Sequence, residues 1–280
     1  MSTGLVLEGG AMRGLYTAGV LDVFLENNVK AEGIVGVSAG VLFGVNYCSN
    51  QKGRTLRYNK KYVNDKRYMG LYSLLTTGNL VGRDFAFYEL PTKLDIFDDD
   101  TFKNSGIDFY ATVTNVNTGA PEYIQLKSVF EQMELLRATS ALPFVSRLVY
   151  LDGVPYLDGG VSDSIPVDKC KELGFDKIIV VLTRPAEYRK HKSSPLPAKL
   201  RYFRFPRLAE AINTRYKRYN DTVEKIIDME NKKEIFVIRP SSALNIARVE
   251  KDPEKLQAVY DLGVEDAKRI LPELLKYLKC

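Results

Sequence analysis

The sequence predicts an α/β fold: a mostly parallel sheet with helices on its faces, followed by a smaller, mainly helical C-terminal region. Three observations carry this expectation. A strand-turn-helix pattern occurs twice within the first fifty residues, the signature of a parallel sheet covered by helices. A short run from Lys177 to Leu182, apolar from Ile178 onward, reads as a further buried strand. After Thr183 the composition turns basic and proline-spotted, and two long helical patterns follow.

Gly4-Leu5-Val6-Leu7-Glu8 is the first strand, ending in the turn Gly9-Gly10. Leu15, Val20, Leu21, Phe24 and Leu25 then recur at helical spacing between Gly14 and Glu26. Ile34-Val35-Gly36-Val37 is the second strand, and Ala39 to Tyr47 the second apolar helix. Residues 50 to 85 are polar, basic and tyrosine-rich, an insertion with helical pieces. Phe109 to Val113 and Tyr123 to Leu126 read as paired strands separated by Asn117-Thr118-Gly119, and Val129 to Ser140 as a helix ending before Pro143. Val149-Tyr150-Leu151 and Val154 to Leu157 flank Asp152-Gly153, a hairpin signal. Beyond the basic segment, helices are expected at about 207 to 230 and 253 to 278, around a strand at Glu234 to Ile238. The expected division is a catalytic unit over 1–185 and a C-terminal region over 186–280.

A hydrophobic content of 45% and a charged content of 27% over 280 residues are ordinary for a globular protein and exclude extensive disorder. No apolar run approaches the roughly 18 to 20 residues that a membrane span needs, and Met1-Ser2-Thr3-Gly4 opens no secretory signal. Cys48, Cys170 and Cys280 form no C-x-x-C pair, so reduced thiols in a cytoplasmic protein are expected. The net charge of +5 is unevenly spread. One basic run, Lys52 to Arg67, is interleaved with Tyr58 and Tyr62; a second extends from Arg184 to Asn220. Both suit either a solvated face or peripheral contact with an anionic membrane surface. Nucleic acid is not the expected partner.

The strongest local signal is Gly36-Val37-Ser38-Ala39-Gly40. A Gly-x-Ser-x-Gly match arises by chance in roughly one chain of this length in ten. Here it follows an apolar strand and opens an apolar helix, as a nucleophile elbow does. The glycines let strand and helix approach closely while the tight turn lifts the serine clear of the sheet. A capping serine in a tight turn is the structural alternative.

A serine hydroxyl needs a base, and the chain contains one histidine, His191, set among cations in Arg189-Lys190-His191-Lys192. A Ser-His-Asp triad is therefore not expected. The base expected is Asp158 in Leu157-Asp158-Gly159-Gly160, where two glycines give the backbone freedom to turn the carboxylate toward another loop. Asp152 competes, but its setting is that of a hairpin turn. The third element is Glu8-Gly9-Gly10-Ala11-Met12-Arg13-Gly14. The N–H groups of Gly9, Gly10 and Ala11 can face an anion, with Arg13 and Ala39 in support. The segment lacks the second glycine of G-x-G-x-x-G and the Lys-Ser/Thr of a P-loop, so an oxyanion hole is preferred to a nucleotide site. Asp98-Asp99-Asp100 lacks the glycine and distal glutamate of a calcium loop and reads as a turn. No metal or organic cofactor is expected.

Taken together, Gly-Gly-x-x-Arg-Gly after the first strand, Gly-x-Ser-x-Gly after the second, and the later Asp-Gly-Gly resemble the patatin-like phospholipases. Ala138-Thr139-Ser140-Ala141-Leu142-Pro143 is similar to that family's small-residue segment upstream of the aspartate. The resemblance spans roughly residues 4 to 185, departing at Ala11, where many members have a third glycine. It implies a three-layer α/β/α core, a Ser38–Asp158 dyad without histidine, an acyl-enzyme intermediate, and phospholipid, lysophospholipid or neutral acyl-ester substrates. Two other readings stay open. One is an acyltransferase using the same serine; the other is a lipid- or nucleic-acid-binding scaffold with a vestigial site.

Overall fold

The computed structural model describes residues 1–279; Cys280 lies outside them. Eight strands form one sheet: β1 (Thr3–Leu7), β2 (Gly33–Val37), β3 (Asp108–Asn115), β4 (Pro121–Gln125), β5 (Val149–Leu151), β6 (Val154–Asp158), β7 (Lys177–Val181) and β8 (Phe236–Ile238). Hydrogen-bonded neighbours follow the path β5-β6-β3-β2-β1-β7-β8, with β4 also on β3. The pairs β3–β2, β2–β1, β1–β7 and β7–β8 are parallel; β4, β5 and β6 join antiparallel.

Strand alternation builds two cores. Leu5, Leu7, Ile34 and Phe109 face a layer containing α1 (Gly14–Glu26) and α2 (Ala39–Cys48). Val6, Val35, Ile178 and Val180 face α7 (Val167–Glu172) and α9 (Pro206–Asn231), through Val167, Val223 and Ile226. This is the three-layer α/β/α arrangement. Numbering the remaining helices in chain order gives α3 (Arg54–Tyr62), α4 (Leu71–Thr77), α5 (Asp99–Lys103), α6 (Met133–Ser140), α8 (Leu196–Arg201) and α10 (Pro253–Lys279).

The residues after 185 share this core. β8 extends the sheet beside β7, with Leu182 N donating to Ile238 O at 2.8 Å. Helix α10 lies along α1, where Tyr260 Oη donates to Asp22 Oδ2 at 2.6 Å and Tyr16 Oη to Asp266 Oδ2 at 3.2 Å. The insertion between α2 and β3 is helical, as its composition suggested, but Asp84–Leu94 is wound as a π-helix carrying Pro91. Nothing in the hydrophobic spacing distinguishes that winding from an α-helix.

Register on β3 fixes the site. Thr112 pairs with both Val37 and Tyr123, and Val113 with both Glu122 and Asp158. A strand residue has one partner on each edge, so β4 covers one edge while β2 and β6 run end to end along the other. The last residue of β2 and the last of β6 therefore occupy consecutive positions of one edge, and Ser38 follows directly from the first.

Candidate active site

Ser38 sits between β2 and α2 with φ 53° and ψ −119°. A non-glycine residue there carries about 1–3 kcal/mol of backbone strain, sustained only where neighbours over-determine it. Val41 N and Leu42 N donate to Ser38 O at 2.9 and 3.0 Å. Ser38 N donates to Thr139 Oγ1 at 3.0 Å, and that hydroxyl donates onward to Thr112 O at 2.7 Å. Gly40 permits the approach of α2 to β1: a Cβ there would lie 2.4 Å from Leu7 O.

Asp158 ends β6, with its N–H bonded to Ala141 O at 2.9 Å and its carbonyl accepting from Thr114 Oγ1 at 2.8 Å. Oδ1 accepts from Gly160 N at 2.7 Å, whereas Oδ2 is buried without a hydrogen-bond partner. Burial pushes the carboxyl above the ordinary aspartate value. The Ser38 hydroxyl, the Arg215 guanidinium and the Gly160 N–H each favour the ionised form and oppose that shift. The structure thus brings Ser38 and Asp158 close enough for the hydroxyl to favour the ionised carboxylate, one oxygen of which has no hydrogen-bond partner.

The Gly9-Gly10-Ala11 loop flanks Ser38. A Cβ on Gly9 would lie 3.2 Å from Ser38 Cβ, and Ala11 has φ 49° at the first position of the 3₁₀ turn Ala11–Arg13. Arg13 N closes that turn onto Gly10 O at 3.1 Å. Glu8 holds the loop's origin: its Oε2 accepts from Thr183 N at 2.6 Å and Oε1 from Tyr219 Oη at 2.9 Å. The Arg13 side chain lines a polar cavity, its Nε buried without a partner. Ala39 lines the apolar cavity described below.

Two cavities meet at Ser38. An apolar one of about 130 Å³ runs beneath α3 and the π-helix, walled by residues such as Phe43, Tyr58, Phe87, Leu90 and Leu136. A polar one of about 50 Å³ contains Glu8, Asp158 and the Gly9-Gly10-Ala11 loop. Ala11, Ser38, Leu142 and Arg248 line both.

His191 is exposed and lies outside both cavities. Asp152, with φ 48°, occupies the β5–β6 turn. Asp98 caps α5 by accepting from Thr101 N at 2.9 Å, and Asp99 accepts from Ser128 Oγ at 2.7 Å. Cys48 and Cys170 are free and buried. In the basic run 52–67 Arg54 is buried, while Lys52, Arg57 and Arg67 are exposed and paired with neighbouring carboxylates. Arg54 pairs with Asp95 at 3.2 Å, Arg57 with Asp95 at 2.8 Å, and Arg67 with Asp65 at 2.8 Å.

Sequence reasoning missed three contributors. Thr139 stood in a segment singled out for its small residues, without a role of its own. Arg215 belonged to a basic run that reads equally well as a solvated face. Helix α9 directs Arg215 inward because Arg218, on the same side, donates to Val161 O at 3.0 Å and Ser162 O at 3.2 Å, while Tyr219 reaches Glu8. Arg248 lies in an irregular loop and carries no sequence signal.

The sequence model of the patatin-like phospholipases matches residues 5–170, and a domain of unknown function, DUF6363, matches residues 205–279. An uncharacterized Escherichia coli protein, YjjU, is 31% identical over 187 residues, 65% of this chain and 52% of its own. Lysophospholipase nte1 of Aspergillus oryzae is 28% identical over 185 residues, covering 64% of this chain and 12% of its own. The neuropathy target esterase sws of Drosophila melanogaster is 26% identical over 187 residues, 64% of this chain and 13% of its own. The chain thus spans about half the length of the bacterial relative and about an eighth of the eukaryotic ones. VipD of Legionella pneumophila superposes with a TM-score of 0.48 at 12% identity, over 97% of this chain and 67% of its own. With the family's sequence model covering more than half of its residues, this chain belongs to the patatin-like phospholipase family.

Proposed function

We propose that the chain is a lipid acyl hydrolase acting through a Ser38–Asp158 dyad and an acyl-enzyme intermediate. One observation carries the reading: a strained serine stands where an apolar and a polar cavity meet, beside a buried carboxylate with an unpartnered oxygen. The acyl chain lies in the apolar cavity, which has the lining expected of a ligand site. As the Ser38 hydroxyl attacks the ester carbonyl, its proton passes to Asp158 Oδ2. The N–H groups of Gly9, Gly10 and Ala11, with that of Ala39 at the start of α2, face the developing oxyanion; one such donor is worth about 3 kcal/mol. The alcohol leaves with the proton from Asp158. Water then attacks the acyl-enzyme: its hydroxyl joins the fatty acid as the acyl–Oγ bond breaks, and its proton passes through Asp158 back to Ser38 Oγ. The upward displacement of Asp158 makes it a better proton acceptor than an exposed aspartate.

Access from a bilayer fits the same face. Leu71 and Leu75 of α4, Leu200 of α8 and Phe203 are between 68% and 77% exposed. The intervening loop ties the two helices: Leu80 N donates to Val145 O at 2.8 Å and Phe144 N to Tyr202 Oη at 2.9 Å. Lys199, Arg201 and Arg204 are exposed beside them, suiting peripheral contact with an anionic surface. No helix among the described residues is long and apolar enough to cross a membrane.

Ser38→Ala and Asp158→Asn are each expected to abolish hydrolysis of a chromogenic fatty-acyl ester while thermal unfolding stays cooperative. Full activity in either variant overturns the dyad. Acylation of Ser38 without release to water indicates transfer to another acceptor instead.

A further inference from the structure

The polar cavity carries a charge imbalance that the dyad does not use. Five cations line it, Arg13, Arg184, Lys190, Arg215 and Arg248, against the carboxylates of Glu8 and Asp158. Glu8 is already committed to Thr183 and Tyr219. The Nε atoms of Arg13, Arg184 and Arg215 are buried without a hydrogen-bond partner. Arg184 lies over the Tyr188 ring at 4.2 Å and the Lys190 ammonium over the Tyr219 ring at 3.1 Å. Just outside the cavity, Arg189 is paired normally with Glu224 at 2.6 Å. Unpaired, partly desolvated guanidinium groups are costly unless a ligand supplies the missing charge.

Crowding is felt by the cations themselves. Burial first, and then the Arg215 charge, push the Lys190 ammonium down to about 6. Arg215 is lowered as well, by burial first. Lys190 aside, four guanidinium groups face two carboxylates, an excess of about two positive charges. A phosphomonoester carries about −1.5 to −2 at neutral pH and matches that excess. Guanidinium forks suit its oxygens. A zwitterionic headgroup brings its own cation into the same field.

We propose that this pocket, completed by residues beyond 183, selects acyl esters whose alcohol carries a phosphomonoester, the phosphate lying among Arg13, Arg184, Arg215 and Arg248 while the acyl chain lies in the apolar cavity. The inference rests on the hydrolase reading and narrows its substrate. The step remains an ester hydrolysis: the acyl C–O bond breaks, the hydroxyl of water joins the fatty acid, and a proton ends on the released glycerol hydroxyl oxygen, the phosphate being unchanged.

The test compares 1-acylglycerol 3-phosphate, 1-acylglycerophosphocholine and 1-acylglycerol of one chain length, below their micelle concentrations, with the full chain. Calorimetry on Ser38→Ala reads binding without turnover, and kcat/KM on the wild type reads catalysis. The phosphomonoester is expected to bind at least tenfold more tightly and to show at least tenfold higher kcat/KM than either other ester. Both ratios are expected to fall toward one in Arg184→Gln/Arg248→Gln. Ratios near one in the unsubstituted pocket overturn the inference while leaving hydrolysis itself intact. Ratios near one together with competitive inhibition by inorganic phosphate assign the pocket to free phosphate, and also overturn it. Turnover of none of the esters overturns the hydrolase reading, and the Ser38→Ala binding ratio then decides the pocket separately.

Discussion

Thr139→Val removes a hydroxyl while preserving side-chain volume, and its consequences follow from two hydrogen bonds. Thr139 Oγ1 accepts from Ser38 N at 3.0 Å and donates to Thr112 O at 2.7 Å, in a buried setting. Valine leaves the Ser38 N–H without that acceptor, at a cost of about 1–3 kcal/mol. Ser38 stores about 1–3 kcal/mol of backbone strain at φ 53°. Restraint and strain are of the same size, so removing the restraint allows the turn to relax and carry Oγ away from Asp158. A displacement near 1 Å costs roughly 10²-fold in rate. The assay is kcat and KM on a chromogenic fatty-acyl ester, with thermal unfolding followed in parallel. Thr139→Val is expected to lower kcat by about 10–100-fold with KM changed far less, and to lower Tm by about 2–10 °C. Thr139→Ser, which keeps the hydroxyl, is expected to restore most of the rate. Wild-type kcat in the valine variant would refute the idea that Thr139 holds the nucleophile in its strained turn.

Other expectations follow from separate features. Asp158 must be ionised to accept a proton, and burial raises its pKa, so activity on a neutral ester rises with pH through an acid limb above the ordinary aspartate value. Because Arg215 favours the ionised form, Arg215→Gln shifts that limb to higher pH; an unmoved limb in a pH–kcat/KM profile rules out the coupling. Gly40→Ala places a Cβ 2.4 Å from Leu7 O and is expected to destabilise by about 1–3 kcal/mol, read as a lower midpoint in urea; an unchanged midpoint contradicts the close packing of α2 on β1. Leu75→Glu/Phe203→Glu is expected to reduce sedimentation with anionic vesicles and hydrolysis of vesicle lipid at least tenfold. Turnover of a soluble short-chain ester should change less than twofold, and undiminished vesicle binding removes α4 and α8 from the membrane face.

The central layers were legible in the sequence because each strand is a short apolar run set off by turn residues, and α1 and α2 are longer apolar segments opening directly after the strand turns. Ser38 and Asp158 were legible for a different reason: a strand-turn-helix serine and a shortage of histidine leave few ways to activate a hydroxyl. Their proximity depends on β2 and β6 each pairing with one edge of β3, which brings together residues some 120 positions apart and which no local pattern encodes. The same limit explains Thr139, whose hydroxyl bridges Ser38 and Thr112 across distant segments. It also explains the basic run after Thr183. Charge spacing alone does not distinguish a solvated helix face from one turned inward, and the choice is made by Arg218 and Tyr219, which tie α9 to the Asp158 loop and to Glu8. The π-helix that roofs the apolar cavity has no periodic signature apart from Pro91.

The most direct test of the central claim is labelling with a fluorophosphonate, followed by intact-mass and peptide mass spectrometry of the wild type, Ser38→Ala and Asp158→Asn. Covalent modification is expected once per chain, on the peptide containing Ser38. It should be absent in Ser38→Ala and slowed by at least tenfold in Asp158→Asn. Labelling that persists in Ser38→Ala, or that maps to another residue in the wild type, contradicts Ser38 as the nucleophile.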